Sequence, residues 1–240
     1  MSACRIPGPL GTDTNCPVID KGTMARISSP LPGPAGSSAV TAAPALDAET
    51  RALAALAYGE ASTKDVFEEM AAIAIVVLRQ QKARGYSSVS TFLATDKTYA
   101  YAASDKNPRY KLFVRSTDAQ VSADSGMSMA VRAVNHARTP NAEDYSNGAF
   151  FWDGYDIRTN YAKHDKVKKG IKITDPAHNV VGIEDKEVPG EEWWRDAKGN
   201  KTKLRGRWSY RFQSTAGWGG TIFWKYNPDF IKGASNSEYN

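Results

Sequence analysis

The chain is short of the residues that most metal and thiol chemistry needs. Among 240 residues there are two cysteines, Cys4 and Cys16, and three histidines, His136, His164 and His178. Two cysteines with no histidine nearby do not make a zinc site. The histidine spacing fits no metal motif, and H-E-x-x-H is absent. Both cysteines lie outside any apparent folded domain, which argues against a cysteine nucleophile. They either close a small loop in an oxidising compartment or stay reduced. No nucleophile elbow supports Ser-His-Asp chemistry, and no glycine-rich loop offers a phosphate cradle. No metal and no cofactor are therefore expected. Long apolar runs are missing too, since none approaches the ~18 residues of a membrane span. The opening MSACRIPGPLGTDTNC has no basic stretch followed by an apolar one, so no secretory signal is expected.

What is present is an ordinary globular balance, 41% hydrophobic and 24% charged. That supports one good-sized core. Six Trp and eleven Tyr are plentiful, and all six Trp with five of the Tyr crowd between Tyr145 and Tyr226. They either pack cores or form platforms for sugar rings. The net charge of +5 is modest. Basic side chains gather at Lys163–Lys172 and Lys198–Arg211, without a zinc-finger, RNA-binding or helix-turn-helix signature beside them. A solvated basic face is expected there, not nucleic-acid binding.

Composition divides the chain. Residues 1–44 are rich in Pro, Gly, Ser and Thr, and Ser28–Pro44 reads as a linker. A domain should fill 45–240. Asp47 is a plausible N-cap for a helix running to about Glu60, with Leu53, Leu56 and Ala57 in helical register. A second helix is expected over about Asp65–Gln81, carried by the stripe Met70, Ile73, Ala74, Val77 and Leu78. Val89–Leu93 reads as a short helical turn and Thr98–Tyr110 as a long loop. Thr117 and Gln120 resemble a capping box opening a helix over Asp118–Arg138, weakened in its middle by Gly126. Then the character changes. Gly148–Trp152, Gly170–Thr174 and Gly220–Trp224 read as short strands. Trp193–Arg195 and Trp208–Phe212 flank a Lys198-Gly199-Asn200 hairpin turn. Helices first and a small sheet second make an α+β fold.

The segment Ala57-Tyr58-Gly59-Glu60-Ala61 sits where two predicted helices meet. Cleaving a glycosidic bond requires protonating a poor leaving oxygen, which a carboxylic acid does if an aromatic-walled site keeps it protonated. A Glu behind Tyr-Gly at a helix end suits that task, though such a Glu is more often a solvated charge.

The run Leu53-Ala-Ala-Leu-Ala-Tyr-Gly-Glu-Ala61, followed by Phe67-Glu-Glu-Met-Ala-Ala-Ile-Ala-Ile-Val-Val-Leu78, resembles the opening of the SleB-type cell wall hydrolases, named for the spore-cortex-lytic enzyme. Two further blocks follow in the family's order: Ala133–Arg138 with Pro140, Asp144 and Ser146–Phe151, then Gly219–Lys225. The resemblance implies a lysozyme-like helical lobe followed by a small antiparallel β lobe, and an enzyme that cleaves peptidoglycan glycan strands. It implies Glu60 as catalytic acid, with Tyr58, Gly148, Ala149 and Phe151 at the substrate groove. Glu68 matches the last Glu of the family's opening motif, where it would hold the site, position water or form a salt bridge. Three departures stand out. The family's Asn-Arg is Arg79-Gln80 here, its late His is Ile222, and a β-rich insertion of about sixty residues covers roughly 153–216.

The carboxylate count sets the mechanism. A hydrolase normally needs two facing carboxylates. A lytic transglycosylase needs one, because the muramic hydroxyl attacks. Asp153 and Asp156 are the candidates for a second carboxylate near the substrate, or else turn residues beside Gly154. The one-carboxylate route is favoured. Without a leader, the protein is expected to be made in the cytoplasm and to act in a periplasm or wall after export, as an antibacterial effector of the type VI kind. Residues 1–44 would engage the secretion apparatus and an immunity protein would guard the producer. A phage-type endolysin explains the same absence. The rival of another class is a carbohydrate-binding module with Glu60 incidental. An amidase is disfavoured for want of a Cys–His pair or zinc set.

Overall fold

Asp47 begins the order, because its carboxylate accepts from the Thr50 N–H at 2.8 Å and caps helix α1, Ala48–Glu60. Leu53, Ala54, Leu56 and Ala57 are fully buried along it. In the computed structural model the described residues are 45–96 and 107–234. The chain divides into two units, Met1–Ala43 and Pro44–Asn240. The expectations for residues 1–44, the two cysteines included, and for most of the Thr98–Tyr110 loop lie outside the described residues.

Helix α2, Phe67–Ala83, buries Met70, Ile73, Ala74 and Val77. The short α3, Val89–Thr95, and α4, Pro108–Arg115, follow. The latter replaces the end of the expected loop: Pro108 sits at the first turn and Asn107 caps it. The capping box at Thr117 and Gln120 is present in both directions and opens α5, Asp118–Ala123. The single helix expected over 118–138 is instead two, because Asp124 caps a new one, α6, Ser125–Arg138, through the Met127 N–H at 2.8 Å. Gly126 has a packing reason, since a Cβ there would lie 2.7 Å from Asp65 Oδ2.

The fold is mixed α+β, but the β part is not one antiparallel lobe. Four strands form one sheet in the order β1 (Phe151–Asp153), β6 (Thr221–Tyr226), β5 (Phe212–Trp218), β2 (Ile171–Lys172). β1, β6 and β5 pair antiparallel, whereas β2 runs parallel to β5. A crossover through residues 173–211 permits that parallel edge. The second sheet is the hairpin β3 (Gly190–Arg195) and β4 (Lys201–Trp208). Phe212, expected at the end of that hairpin, opens β5. Between β1 and β2 lie also α7, Asp156–Thr159, and α8, Asp165–Lys169; α9, Pro228–Ala234, follows β6.

Alternation along β6 divides the sheet's two faces. Phe223 joins Ala149 and Ala216 in the core shared with α1, α2 and α6. Ile222 and Trp224 face a second core with Ile157, Val167, Ile171, Val181, Ile183 and Phe212. The segment between β1 and β5 therefore covers the outer face of the sheet with its own apolar layer.

Candidate active site

Glu60 is the last residue of α1 and is half-buried. The end of that helix is tied off by side chains from one neighbouring segment. Asn107 Nδ2 donates to the Gly59 carbonyl at 2.8 Å, and Arg109 donates to the carbonyls of Tyr58 at 3.0 Å and Ser62 at 3.2 Å. Arg109 also pairs with Asp65 and stacks 4.0 Å over the Tyr58 ring. Carbonyls at a helix C-terminus lack intrahelical donors, so these bonds hold the backbone at Glu60 in one geometry. Tyr58 is 7% exposed, and burial pushes its hydroxyl pKa up. It lies under Arg109 and against Phe113 as a support of the helix end.

One group that meets Glu60 is Trp152, whose indole Nε1–H donates to Glu60 Oε2 at 3.3 Å. Trp152 pairs with Phe223 in the β1–β6 ladder and packs on the main core. Its neighbours in β1 point the other way. Phe151 stacks edge-on against Phe212 and Tyr226, at 5.6 and 4.9 Å between ring centroids. Asp153 accepts from Lys166 Nζ at 2.8 Å and lies 3.3 Å from His164 Nε2. Phe151 and Asp153 thus belong to the far face of the sheet, away from the Trp152 indole. Asp156, at the start of α7, faces the same His164 at 3.6 Å.

Asp153, Asp156 and His164 have the residue types of a metal site, and their ligating atoms lie within 4.8 Å of one another. Their charges do not suit one, because the Lys166 ammonium already occupies Asp153 Oδ1. The hydrogen bonds to Asp153 and Asp156 raise the His164 pKa to about 9, and His164 in turn lowers that of Asp156. An imidazolium has no lone pair to give a cation. The Lys166 N–H bond to His164 Nδ1, at 3.3 Å, opposes this protonation because it needs that nitrogen bare. The cluster is an ion-pair network fastening the end of β1 to α8. Lys166 Nζ also lies 3.5 Å from the Trp152 carbonyl.

Two further clusters position the site. On α2, Glu69 is fully buried, whereas Glu68 beside it is half-buried. Glu69 Oε1 accepts from the N–H groups of Ser62 (3.1 Å) and Gly220 (3.0 Å) and from Thr221 Oγ1 (2.7 Å), and Oε2 accepts from Ser62 Oγ (2.7 Å). One carboxylate thereby joins the segment after Glu60 to the β5–β6 turn. At that turn Gly219 has φ +60, and a Cβ would fall 2.0 Å from Glu69 Oε2. Lower on α2, Arg79 donates to Ser146 Oγ at 3.0 Å, to Asp144 at 2.7 Å and to the Ala149 carbonyl. Fully buried Gln80 donates to the Phe150 carbonyl at 2.7 Å. Burial raises the Asp144 pKa, but Ser146, Arg79 and the Gly148 N–H outweigh it and hold the carboxyl below its usual range. Gly148, at φ +80, turns this loop with open space beside it, and Ala149 is buried. Arg79 and Gln80 therefore fix the loop that leads into β1 and Trp152.

Of the residues expected at the site, Glu60 lies beside Trp152, a residue the sequence did not single out. Gly148 and Ala149 lie on the loop leading into β1. Tyr58 supports from within the core, Phe151, Asp153 and Asp156 lie on the sheet's outer face, and Glu69 holds the junction next to Glu68. Ile222, at the resemblance's late His, is a core residue with no polar group to offer. A separate depression of 460 Å³ lies beside the hairpin, lined by Pro189–Glu191, Arg207–Ser209 and Asp229, without Glu60. Comparison with family models, curated proteins and solved structures gives no match for this chain.

Proposed function

We propose that this protein cleaves the glycan strand of peptidoglycan, with Glu60 as the proton donor and with a helical lobe of the lysozyme-like, SleB-type kind. The observation that carries the reading is the contact between the Glu60 carboxylate and the Trp152 indole N–H, 3.3 Å apart. The N–H edge of the indole orients a half-buried carboxyl at a helix end tied down by Asn107 and Arg109. An oriented, half-buried carboxyl beside an aromatic side chain suits proton transfer in glycoside cleavage.

The lytic route fits best. Asp153, one candidate for a second carboxylate, is taken up by Lys166 and His164 on the opposite face of β1. Glu60 gives its proton to the glycosidic oxygen as the C1–O bond breaks. The muramic C6 hydroxyl oxygen bonds to C1, closing an anhydro ring, and its proton returns to Glu60. No water is consumed and the carboxylic acid is regenerated.

Digestion of purified sacculi, with products read by mass spectrometry, tests this. Anhydro-muropeptides support the lytic route, and reducing ends would replace it with hydrolysis. Absence of any product would leave the rival reading, a wall-binding module. An antibacterial role is tested by directing the protein to the periplasm. Toxicity of wild type but not of Glu60→Gln supports it, and equal toxicity or none from either contradicts it.

A further inference from the structure

The hairpin β3–β4 carries features that the Glu60 site does not use. Its span Gly190–Trp208 holds six basic and three acidic side chains, a net +3 of the chain's +5. Its base is anchored. Trp208 packs edge-on against Phe230 of α9 at 5.0 Å, and a Cβ on Gly206 would lie 2.6 Å from Gly233 Cα. Its tip is ordered by its own acid, since Asp196 accepts from the N–H groups of Lys198 and Asn200, both at 2.9 Å. Glu191 is likewise occupied internally, by Trp193, Lys201 and Arg207. The excess positive charge therefore rests on Arg195, Lys198, Lys203 and Arg205.

Among these cations stands Trp194, 54% exposed. Lys203 pairs with it across the strands, and the Arg205 guanidinium lies 4.6 Å from its ring. Trp194 stands half in water on a ribbon whose base is anchored elsewhere, with Arg205 over its ring, so an indole flanked by cations is presented to solvent. Exposed indole suits the apolar face of a sugar ring, and flanking ammonium and guanidinium groups suit carboxylates. Nucleic acid presents one charge per ~1.7 Å of duplex and needs a dense cationic track. Here Glu191, Glu192 and Asp196 interrupt any such track.

We propose that this hairpin is a second binding surface, which docks on an anionic glycan polymer: peptidoglycan strands bearing stem-peptide carboxylates. The proposal rests on the reading of Glu60 as a wall-cleaving acid only for the choice of polymer. β5 separates the hairpin from the Glu69 clamp by seven residues, roughly 20 Å, so the surface would grip the wall apart from the reacting bond.

The test uses full-length Glu60→Gln protein, which binds without cutting, co-sedimented with purified sacculi. It is compared with the same protein carrying Trp194→Ala and Lys203→Ala, and with Lys203→Glu alone. Far-UV circular dichroism and the thermal midpoint confirm folding of each. The expected result is about tenfold weaker sacculus binding for the double variant, weaker binding for Lys203→Glu, and release by salt. Unchanged binding in folded variants overturns the proposal. So does tighter hairpin-dependent binding to double-stranded DNA than to sacculi. Wild type that binds through the hairpin yet yields no products would refute the cleavage reading while leaving this surface standing.

Discussion

Glu69 offers a quantitative test of how the site is held. Replacing it with Ala would leave the donors of Ser62, Gly220 and Thr221 without their acceptor in a fully buried place. Bonds to a charged acceptor contribute about 1.5–3 kcal/mol each, but four bonds to one carboxylate are not additive. Each buried donor left unsatisfied costs about 1–3 kcal/mol, so Glu69→Ala should lose about 3–5 kcal/mol once non-additivity is allowed for. In a domain this size it corresponds to a fall of roughly 10 °C in Tm. Glu69→Gln keeps the shape. Its carbonyl can take the three bonds of Oε1, and its amide can donate to Ser62 Oγ after that hydroxyl rotates. The remaining loss is charge assistance, about 1–2 kcal/mol. Gly219→Ala should match the Ala variant's direction, because the new Cβ meets the same carboxylate from the turn side at φ +60. Urea unfolding of the three variants measures this, and sacculus digestion at a temperature where all are folded separates structure from chemistry. Glu69→Gln should keep cutting. If it is inactive although folded, Glu69 is itself a reacting group. If Glu69→Ala costs under about 1 kcal/mol, the clamp has been misjudged.

Trp152→Phe removes the indole donor to Glu60 together with the fused ring, and leaves a smaller phenyl ring against the core. Turnover should fall roughly 10-fold, as for loss of one hydrogen bond to a charged group, with stability changed by about 1 kcal/mol; an unchanged rate would remove Trp152 from the mechanism. His164 should make stability pH-dependent, because its folded pKa, about 9, lies above the unfolded 6.5. Its stabilising charge is fully present below pH 6.5 and is lost as pH rises through about 9. Between pH 6 and 9.5 wild type should therefore lose on the order of 1 kcal/mol more than His164→Gln in urea unfolding. Parallel curves for the two proteins would contradict the ion-pair assignment.

Local signals in the sequence were dependable where one residue acts on its neighbours. The Asp47 cap, the Thr117–Gln120 box and the apolar stripe of α2 all depend on contacts within a turn or two. The break at Asp124 escaped because an Asp inside an amphipathic run reads equally as a surface charge. β5 escaped because Ser214 and Thr215 make it look polar. They are buried through bonds to distant partners, such as Thr215 Oγ1 to the Ser146 carbonyl at 2.6 Å. The parallel β2 edge depends on pairing across forty residues, which no local pattern encodes. At the site, Glu60 was singled out by the resemblance of its Tyr-Gly-Glu-Ala run, because a Glu at a helix end is by itself more often a solvated charge. The choice of Glu68 over Glu69 could have been avoided: Glu69 shares the stripe of Ile73, Val76 and Gln80, whereas Glu68 lies about 100° away. Strand alternation explains the sidedness of β1. Trp152 meets α1, while Phe151 and Asp153 go to the layer built by the segment between β1 and β5.

The most direct measurement is the rate at which folded Glu60→Gln protein releases soluble fragments from purified sacculi, set beside wild type. Gln keeps the shape and can accept the Trp152 hydrogen bond, but it has no proton to give. Wild type should release fragments steadily and Glu60→Gln should be slower by at least about 100-fold, in line with the contribution of a general acid. Equal release by the two proteins would contradict the assignment of Glu60 as the proton donor.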